Sequence, residues 1–251
     1  MPRPWRLVDS GLVSPSESAA LDEAIMEAHI LGQVQNTLHF YIRSDPTISV
    51  GYFQKIVESV NLAECEKRGV AIVRRKSGGS SIYTDHGQLI YGLIIHDSDL
   101  PGERADSFRV TCQAIADALR SLGVDAVYRP MNDVEVDGRK ISGNAQFRRR
   151  GSVLQHGTVI VETDVSQMDA VLKVSSARRS EASRPSDRVT TLANLLGAVP
   201  KMEAVKSCMA SAFEEAFDAK FSLSTLTAFE SSTVKKLVDE RYSKREWNFK
   251  F

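Results

Sequence analysis

The stretch that most constrains the fold is Arg74-Arg75-Lys76-Ser77-Gly78-Gly79-Ser80-Ser81-Ile82-Tyr83-Thr84-Asp85-His86-Gly87-Gln88. An apolar run at 70–73 leads into it and another at 89–95 leads out, which reads as strand, glycine-serine loop, strand. Glycine and serine let backbone N–H groups turn inward and approach a ligand closely. The adjoining arginines offer forked donors suited to phosphate or carboxylate. The stretch reads as the floor of a small-molecule site.

The flanking chain supplies a scaffold. Residues 4–8 suit a short strand. Ser14, Pro15 and Glu17 spell a capping box with proline in the first helical turn, and Leu21, Ala24, Ile25 and Ala28 keep one apolar face up to a stop at Gly32. Residues 37–43 alternate as a strand with one face buried, and 47–53 suit its hairpin partner. Asn61 caps a short helix that Gly69 ends. Pro101-Gly102 marks a turn before a helix at 105–122, with Phe108, Cys112, Ile115, Leu119 and Leu122 on one face and Gly123 following. Asp137-Gly138 between alternating segments signals a hairpin, and 153–161 reads as a strand. Helices are expected near 188–196, 200–217 and 230–241, with an aromatic tail at 242–251 packing back. The pattern is α+β, with a mixed or antiparallel central sheet flanked by helices, in one domain spanning 1–251. The polar, basic, aperiodic stretch 175–188 reads as a mobile loop.

Bulk properties narrow the function. A chain of 251 residues, 42% hydrophobic, buries a sizeable core, and 32 basic against 32 acidic residues give no excess charge for nucleic acid or an acidic membrane. Three separated cysteines, Cys65, Cys112 and Cys208, suit buried thiols in a reducing compartment. No N-terminal leader pattern appears, and no apolar run approaches the ~20 residues that span a bilayer. A soluble cytoplasmic protein is expected. There is no P-loop, GxGxxG fingerprint, HExxH pair or GxSxG elbow.

Two further segments carry polar groups suited to a site. Lys140 follows the hairpin turn beside Ser142-Gly143-Asn144 and reads either as an ordinary surface lysine or as a cation aimed into the site. Asn132-Asp133 opens the same hairpin, as a turn or as an amide and a carboxylate for Mg²⁺ or a ribose hydroxyl. Gln155-His156-Gly157-Thr158 lies on the last strand of this group.

Taken together, Arg-Arg-x-Ser-Gly-Gly-x-x-x-Tyr-x-Asp-x-Gly, then Asn-Asp, Gly-Arg-Lys-Ile-Ser-Gly-Asn-Ala-Gln and His-Gly-Thr resemble the lipoate–protein ligase A family, along nearly the whole chain. The resemblance implies a biotin/lipoate protein ligase-like, class II synthetase-like catalytic domain. It implies two half-reactions: lipoate (or octanoate) and Mg·ATP give the acyl-adenylate, which then acylates a lysine of a lipoyl carrier domain. The carrier would be a 2-oxoacid dehydrogenase acyltransferase subunit or the glycine-cleavage H protein.

The resemblance also assigns roles by position. Lys140 matches the family's catalytic lysine, a cation bridging carboxyl and α-phosphate oxygens. Arg75, Ser77, Gly78 and Gly79 match the loop lining the lipoyl and phosphate positions, and Ser80 and Ile82 flank the lipoyl pocket. Gln88 falls near the ligand, where the family usually has asparagine. Asn132 and Asp133 match the adenosine- and magnesium-side pair, with Asp133 toward Mg²⁺. His156 and Thr158 match the strand lining the pocket. Ser80-Ser81, Thr84 and Gln88 depart from the family's usual residues. Many members continue into an accessory domain, so a separate small accessory protein is expected here. Competing expectations are an octanoyltransferase or lipoyl-amidotransferase of the same fold, which uses a cysteine acyl intermediate and no ATP, and a non-catalytic lipoyl-domain-binding paralogue.

Overall fold

The computed structural model describes residues 3–173 and 184–251. In chain order the elements are β1 (Arg3–Val13), α1 (Pro15–Ile30), β2 (Thr37–Arg43), β3 (Thr47–Val50), α2 (Ile56–Ser59), α3 (Leu62–Lys67), β4 (Ala71–Arg74), β5 (Ile82–Thr84), β6 (Gln88–His96), α4 (Arg104–Ser121), β7 (Val127–Arg129), β8 (Asp133–Val136), β9 (Arg139–Arg149), β10 (Ser152–Ile160), α5 (Val165–Val171), α6 (Leu192–Leu196), α7 (Met202–Phe217), β11 (Ala219–Ser224), α8 (Ala228–Leu237) and α9 (Arg245–Asn248).

Local chemistry sets several boundaries. The Ser14 hydroxyl accepts from the Glu17 N–H at 3.3 Å while the Glu17 carboxylate accepts from the Ser14 N–H at 3.1 Å, so the expected capping box starts α1. Asp137 (φ 49°) and Gly138 (φ 74°) both sit in the left-handed region that a two-residue hairpin turn requires, and they join β8 to β9.

The elements assemble as an α+β structure around an eight-stranded mixed sheet, ordered β11-β1-β2-β6-β10-β9-β8-β7. β11, β1 and β2 run parallel, and every later neighbour is antiparallel. One face packs on α4 and α7, where Tyr91, Leu93, Cys112, Ile115, Leu119, Met209 and Phe213 form the main core. Full burial of a leucine- or isoleucine-sized side chain contributes about 1.5–3 kcal/mol. The other face carries α1, with Ile25 and Met26 against Ile94 and Leu154.

Several expectations are corrected. Residues 47–50 do not form a hairpin with β2. They make the centre of a separate three-stranded sheet, β4-β3-β5, parallel to β4 and antiparallel to β5. β2 is buried on both faces rather than one, because α1 covers His39 and Tyr41 while the core takes Leu38 and Phe40. β11 was not expected; it pairs in parallel with β1 across more than two hundred residues of sequence. Of the stretch 175–188, residues 175–183 lie outside the described part. Pro185–Arg188 form a 3-10 turn fixed to α5, where the Ser186 N–H donates to Asp169 at 2.8 Å. Among the described residues no helix is long and apolar enough to cross a membrane.

Candidate functional site

The glycine-serine loop lies between β4 and β5 and is shaped from inside by Arg75. This arginine is 9% exposed, and its donors go to the loop's own frame: Nε to Ser77 Oγ at 3.1 Å, Nη1 to Ser49 O at 2.7 Å, and Nη2 to Gly78 O and Ser80 O at 2.8 Å each. Burial, reinforced by nearby Arg43, lowers the guanidinium to about 10. In this way the fork folds the loop from within. Arg74, fully buried, does the same for the neighbouring segment, donating from Nη1 to Gly51 O, Tyr52 O and Gln54 O.

β10 supplies the facing wall. His156 projects toward α1, with Nε2 2.6 Å from Ser77 Oγ and Nδ1 2.8 Å from Asp22 Oδ2. The other Asp22 oxygen lies 3.3 Å from His39 Nδ1 on β2, whose Nε2 is 2.9 Å from Ser10 Oγ. Burial alone would raise the Asp22 carboxyl, but its contacts to His156 and His39 outweigh burial and hold it at about 2. Sequence reasoning missed Asp22, His39 and Tyr41. Leu21-Asp22-Glu23 looks like an ordinary acidic helix surface, yet Asp22 is 4% exposed.

Lys140 reaches the same face through a β-bulge. Strict alternation along β9 would place it with Ser142, Asn144 and Gln146, on the α4 side. The register shifts between Val134 and Glu135, so Glu135 opposes Lys140 while Val134 opposes Ser142. Bulges re-aim side chains in this way. Lys140 Nζ lies 2.6 Å from Asp133 Oδ1, both groups being about one-third exposed. It runs across Gly143, whose own strand partner is Thr158. The motif residues thus divide by face. Asn144 accepts from Tyr91 Oη at 2.6 Å and donates to Asn132 O at 3.0 Å beneath the sheet, while Gly143 leaves room above it.

The space over Gly143 gives a direct prediction. A Cβ at residue 143 would overlap Lys140 Cε and Nζ, the far end of a side chain that can move. For the acyl activation that the resemblance implies, Gly143→Ala is expected to displace the ammonium from Asp133 and cut the rate by about 10–10²-fold, with thermal stability nearly unchanged. A melting curve alongside the rate checks this: full activity refutes the placement of Lys140.

The other expected residues fall as follows. Gly78, Gly79 and Ser80 lie on the partly open rim of the loop, and Ile82 is half-buried beside them. Thr158 is nearly buried on the His156 face. Asn132 spends its amide N–H on Asn144 O, so it clamps the start of the hairpin rather than facing outward. Gln88 is corrected. It is 1% exposed, donates to Tyr83 O at 3.1 Å, and opposes Ile160, four positions along β10 from His156, or ~13 Å at strand rise.

Among the described residues no group of three His, Cys, Asp or Glu side chains is arranged to hold a metal. Asp133 offers one carboxylate, the donor set by which Mg²⁺ delivered on nucleotide phosphates is ordinarily held. The residues therefore fit a substrate-borne ion.

The thiols stand apart from this face. Cys112 is fully buried on α4, 3.4 Å below the Asn144 amide nitrogen on the opposite side of the sheet, and burial pushes it up to about 12. Cys65 sits in the small core under β4-β3-β5, also raised by burial, and Cys208 lies on α7. A separate groove of about 500 Å³ between β1, α1 and α8 shares no residue with Lys140, His156 or the loop.

Comparison with known proteins places this arrangement. The family described as the lipoyl protein ligase A/B catalytic domain matches residues 14–214. An octanoyltransferase LipM of Halalkalibacterium halodurans is 33% identical over 98% of this chain and 99% of its own length, and that of Kyrpidia tusciae is 33% identical over 98% of each. Among solved structures, a bi-partite lipoate protein ligase from Thermoplasma acidophilum superposes with TM-score 0.85 at 30% identity, covering 98% of this chain and 96% of that one. A lipoate-protein ligase A bound with ATP gives 0.86 at 29% identity over 98% of each. The sequence relatives thus carry the octanoyltransferase name, and the structural ones carry the ligase name. On the extent of the match and the placement of its motifs, the chain belongs to the lipoyl protein ligase A/B catalytic-domain family.

Proposed function

We propose that the chain is an ATP-dependent lipoate–protein ligase. It activates lipoate or octanoate as the acyl-adenylate and passes the acyl group to a lysine of a lipoyl carrier domain. The observation that carries this reading is the bulge that brings Lys140 beside Asp133 on the His156 face, while all three thiols lie elsewhere.

In the first step a substrate carboxylate oxygen attacks the α-phosphorus of ATP and pyrophosphate leaves. Two anions must meet, and a fixed cation offsets their repulsion as charge develops. Lys140 is that cation, aimed by Asp133 and by the open space at Gly143. Mg²⁺, delivered with ATP, neutralises phosphate charge when bound, with Asp133 the residue that would hold it. In the second step the carrier's ε-amine attacks the acyl carbonyl, AMP departs, and the amine loses a proton. The loop over Arg75 and the His156 strand line the acyl group, with Ser80, Ile82 and Thr158 at its sides. The ATP-bound ligase relative supports the nucleotide, and the Thermoplasma structure, which pairs a bi-partite ligase with an E2 lipoyl domain, supports the carrier and a separate accessory protein.

The octanoyltransferase reading is favoured by the names of the sequence relatives. It needs a reactive thiolate, and thiol reactivity follows exposure and a lowered pKa. Cys112 has neither. One experiment separates the two readings. Purified chain is incubated with lipoate and ATP, and in parallel with an octanoyl carrier protein without ATP, while acyl-AMP and carrier acylation are followed by mass spectrometry. Acyl-AMP formation is expected. Transfer only in the ATP-free arm would overturn the ligase. Cys112→Ser is expected to keep acyl-AMP formation within about threefold of the parent, because the change is small and the residue lies beneath the sheet; complete loss with folding intact would point to the thiol.

A further inference from the structure

Asp22 is the one carboxylate among the described residues that joins α1, β2 and β10 at the loop. Oδ1 faces His39 Nδ1 at 3.3 Å and Oδ2 faces His156 Nδ1 at 2.8 Å. Tyr41 Oη stands 3.5 Å from Oδ2. Gly92 of β6 lies directly beneath, where a Cβ would come within 2.5 Å of Oδ1. The strand is bare there, and the carboxylate rests on its backbone.

The proton arrangement follows from these contacts. An ionised carboxylate only accepts, so His39 and His156 both donate from Nδ1. A ring that carries its single proton there presents Nε2 as an acceptor. Ser10 Oγ–H then donates to His39 Nε2 at 2.9 Å, and Ser77 Oγ–H donates to His156 Nε2 at 2.6 Å. Ser77 Oγ in turn accepts from Arg75 Nε–H at 3.1 Å. This assignment satisfies every group, and it points the Ser77 hydroxyl proton into the protein.

We infer that Asp22 is a positioning residue for acyl-group binding: by fixing the His156 tautomer it pins Ser77, and with it the glycine-serine loop, to β10 in the shape that receives the acyl chain. The inference rests on the reading of this loop as the acyl site. Bulk alone does not explain the residue, because asparagine has the same shape but one acceptor and one donor. With asparagine at position 22, one of the two imidazoles loses its Nδ1 acceptor, and loss at His156 is the case that frees Ser77.

The test is Asp22→Asn, with nitrogen-15 imidazole spectra and kinetics on the full chain. In the parent, His156 is expected as the Nδ1–H tautomer. In the variant its spectrum changes, and KM for lipoate or octanoate rises about tenfold while KM for ATP stays constant and the circular dichroism is unaltered. An unchanged His156 spectrum together with unchanged KM overturns the inference. So does an equal loss for acyl substrate and ATP accompanied by a lowered melting temperature, the mark of a merely structural role. If the variant does not fold, the parent spectrum still decides, since an Nε2–H tautomer at His156 contradicts the assignment. Failure of the parent chain to bind lipoate or octanoate at all would instead sink the acyl-site reading, and that is read on a different sample.

Discussion

On the proposed ligase reading, Lys140→Ala is expected to lower acyl-AMP formation by at least about 10²–10³-fold, the loss that follows removal of one preorganised group at a developing charge. The ammonium is held 2.6 Å from Asp133 Oδ1 and is only one-third exposed. No other described lysine is paired with Asp133 or stands over Gly143 to take its place. The variant is expected to fold, because the side chain lies across a glycine instead of filling a core. Affinity for a carrier domain, measured by titration calorimetry, is expected to stay within about threefold, as the charge acts on phosphate and carboxylate. Unchanged adenylation would remove Lys140 from the chemistry. A chain whose parent form binds carrier, makes no acyl-AMP and transfers no acyl group without ATP would be the non-catalytic paralogue.

Gly157→Ala is expected to lower stability strongly. Gly157 lies in β10 at the centre of the sheet, opposite Tyr91 and Asn144. A Cβ there would overlap Asn144 Oδ1 and come within 2.7 Å of Gly143 O. Neither neighbour can yield freely: one is backbone of the adjacent strand, the other accepts the buried Tyr91 hydroxyl at 2.6 Å. Strain of this kind and a disrupted buried hydrogen bond together cost about 2–4 kcal/mol. For a domain of this size that is a drop of roughly 5–15 °C in melting temperature. Gly78→Ala is the control, since a Cβ at residue 78 meets nothing within 4 Å and Gly78 has no positive φ. Equal melting temperatures for the two variants would refute the packing argument.

The contrast between these glycines shows what the sequence made legible. Glycine-rich spacing located the loop, the hairpin and the His156 strand, because turns and close approaches leave a local signature. It did not say which glycine serves a turn, a neighbouring backbone or a moving lysine. The bonds of Arg75 to the loop were not legible, since an arginine beside a glycine-serine loop looks the same whether its fork meets a ligand or the loop's own carbonyls. Asp22 gave no sign of its contacts. An acidic residue on a helix reads as solvated unless the helix is known to be wedged between a sheet and α8. The partners of β3 and β11 were hidden for a related reason: strand alternation reveals a strand, but not a neighbour in another sheet or two hundred residues away. Lys140 is the instructive middle case. Its importance came from the motif, and its direction came from a bulge that no periodicity announces.

Residues 247 and 248 touch the very strand from which the loop springs. Trp247 Nε1 donates to Arg74 O at 2.9 Å, and the Arg74 N–H donates to Asn248 Oδ1 at 2.9 Å. At the opposite edge, β1 finds its outer neighbour only in residues 219–224, and Arg6 meets the buried carboxylate of Glu230 at 2.6 Å. During synthesis, then, the first strand and the loop both wait for segments made long after them. A nascent polypeptide halted before residue 247 can carry Lys140, His156 and the glycines and still lack the clasp on Arg74. The wall that carries the loop is thus closed by residues near the far end of the sequence.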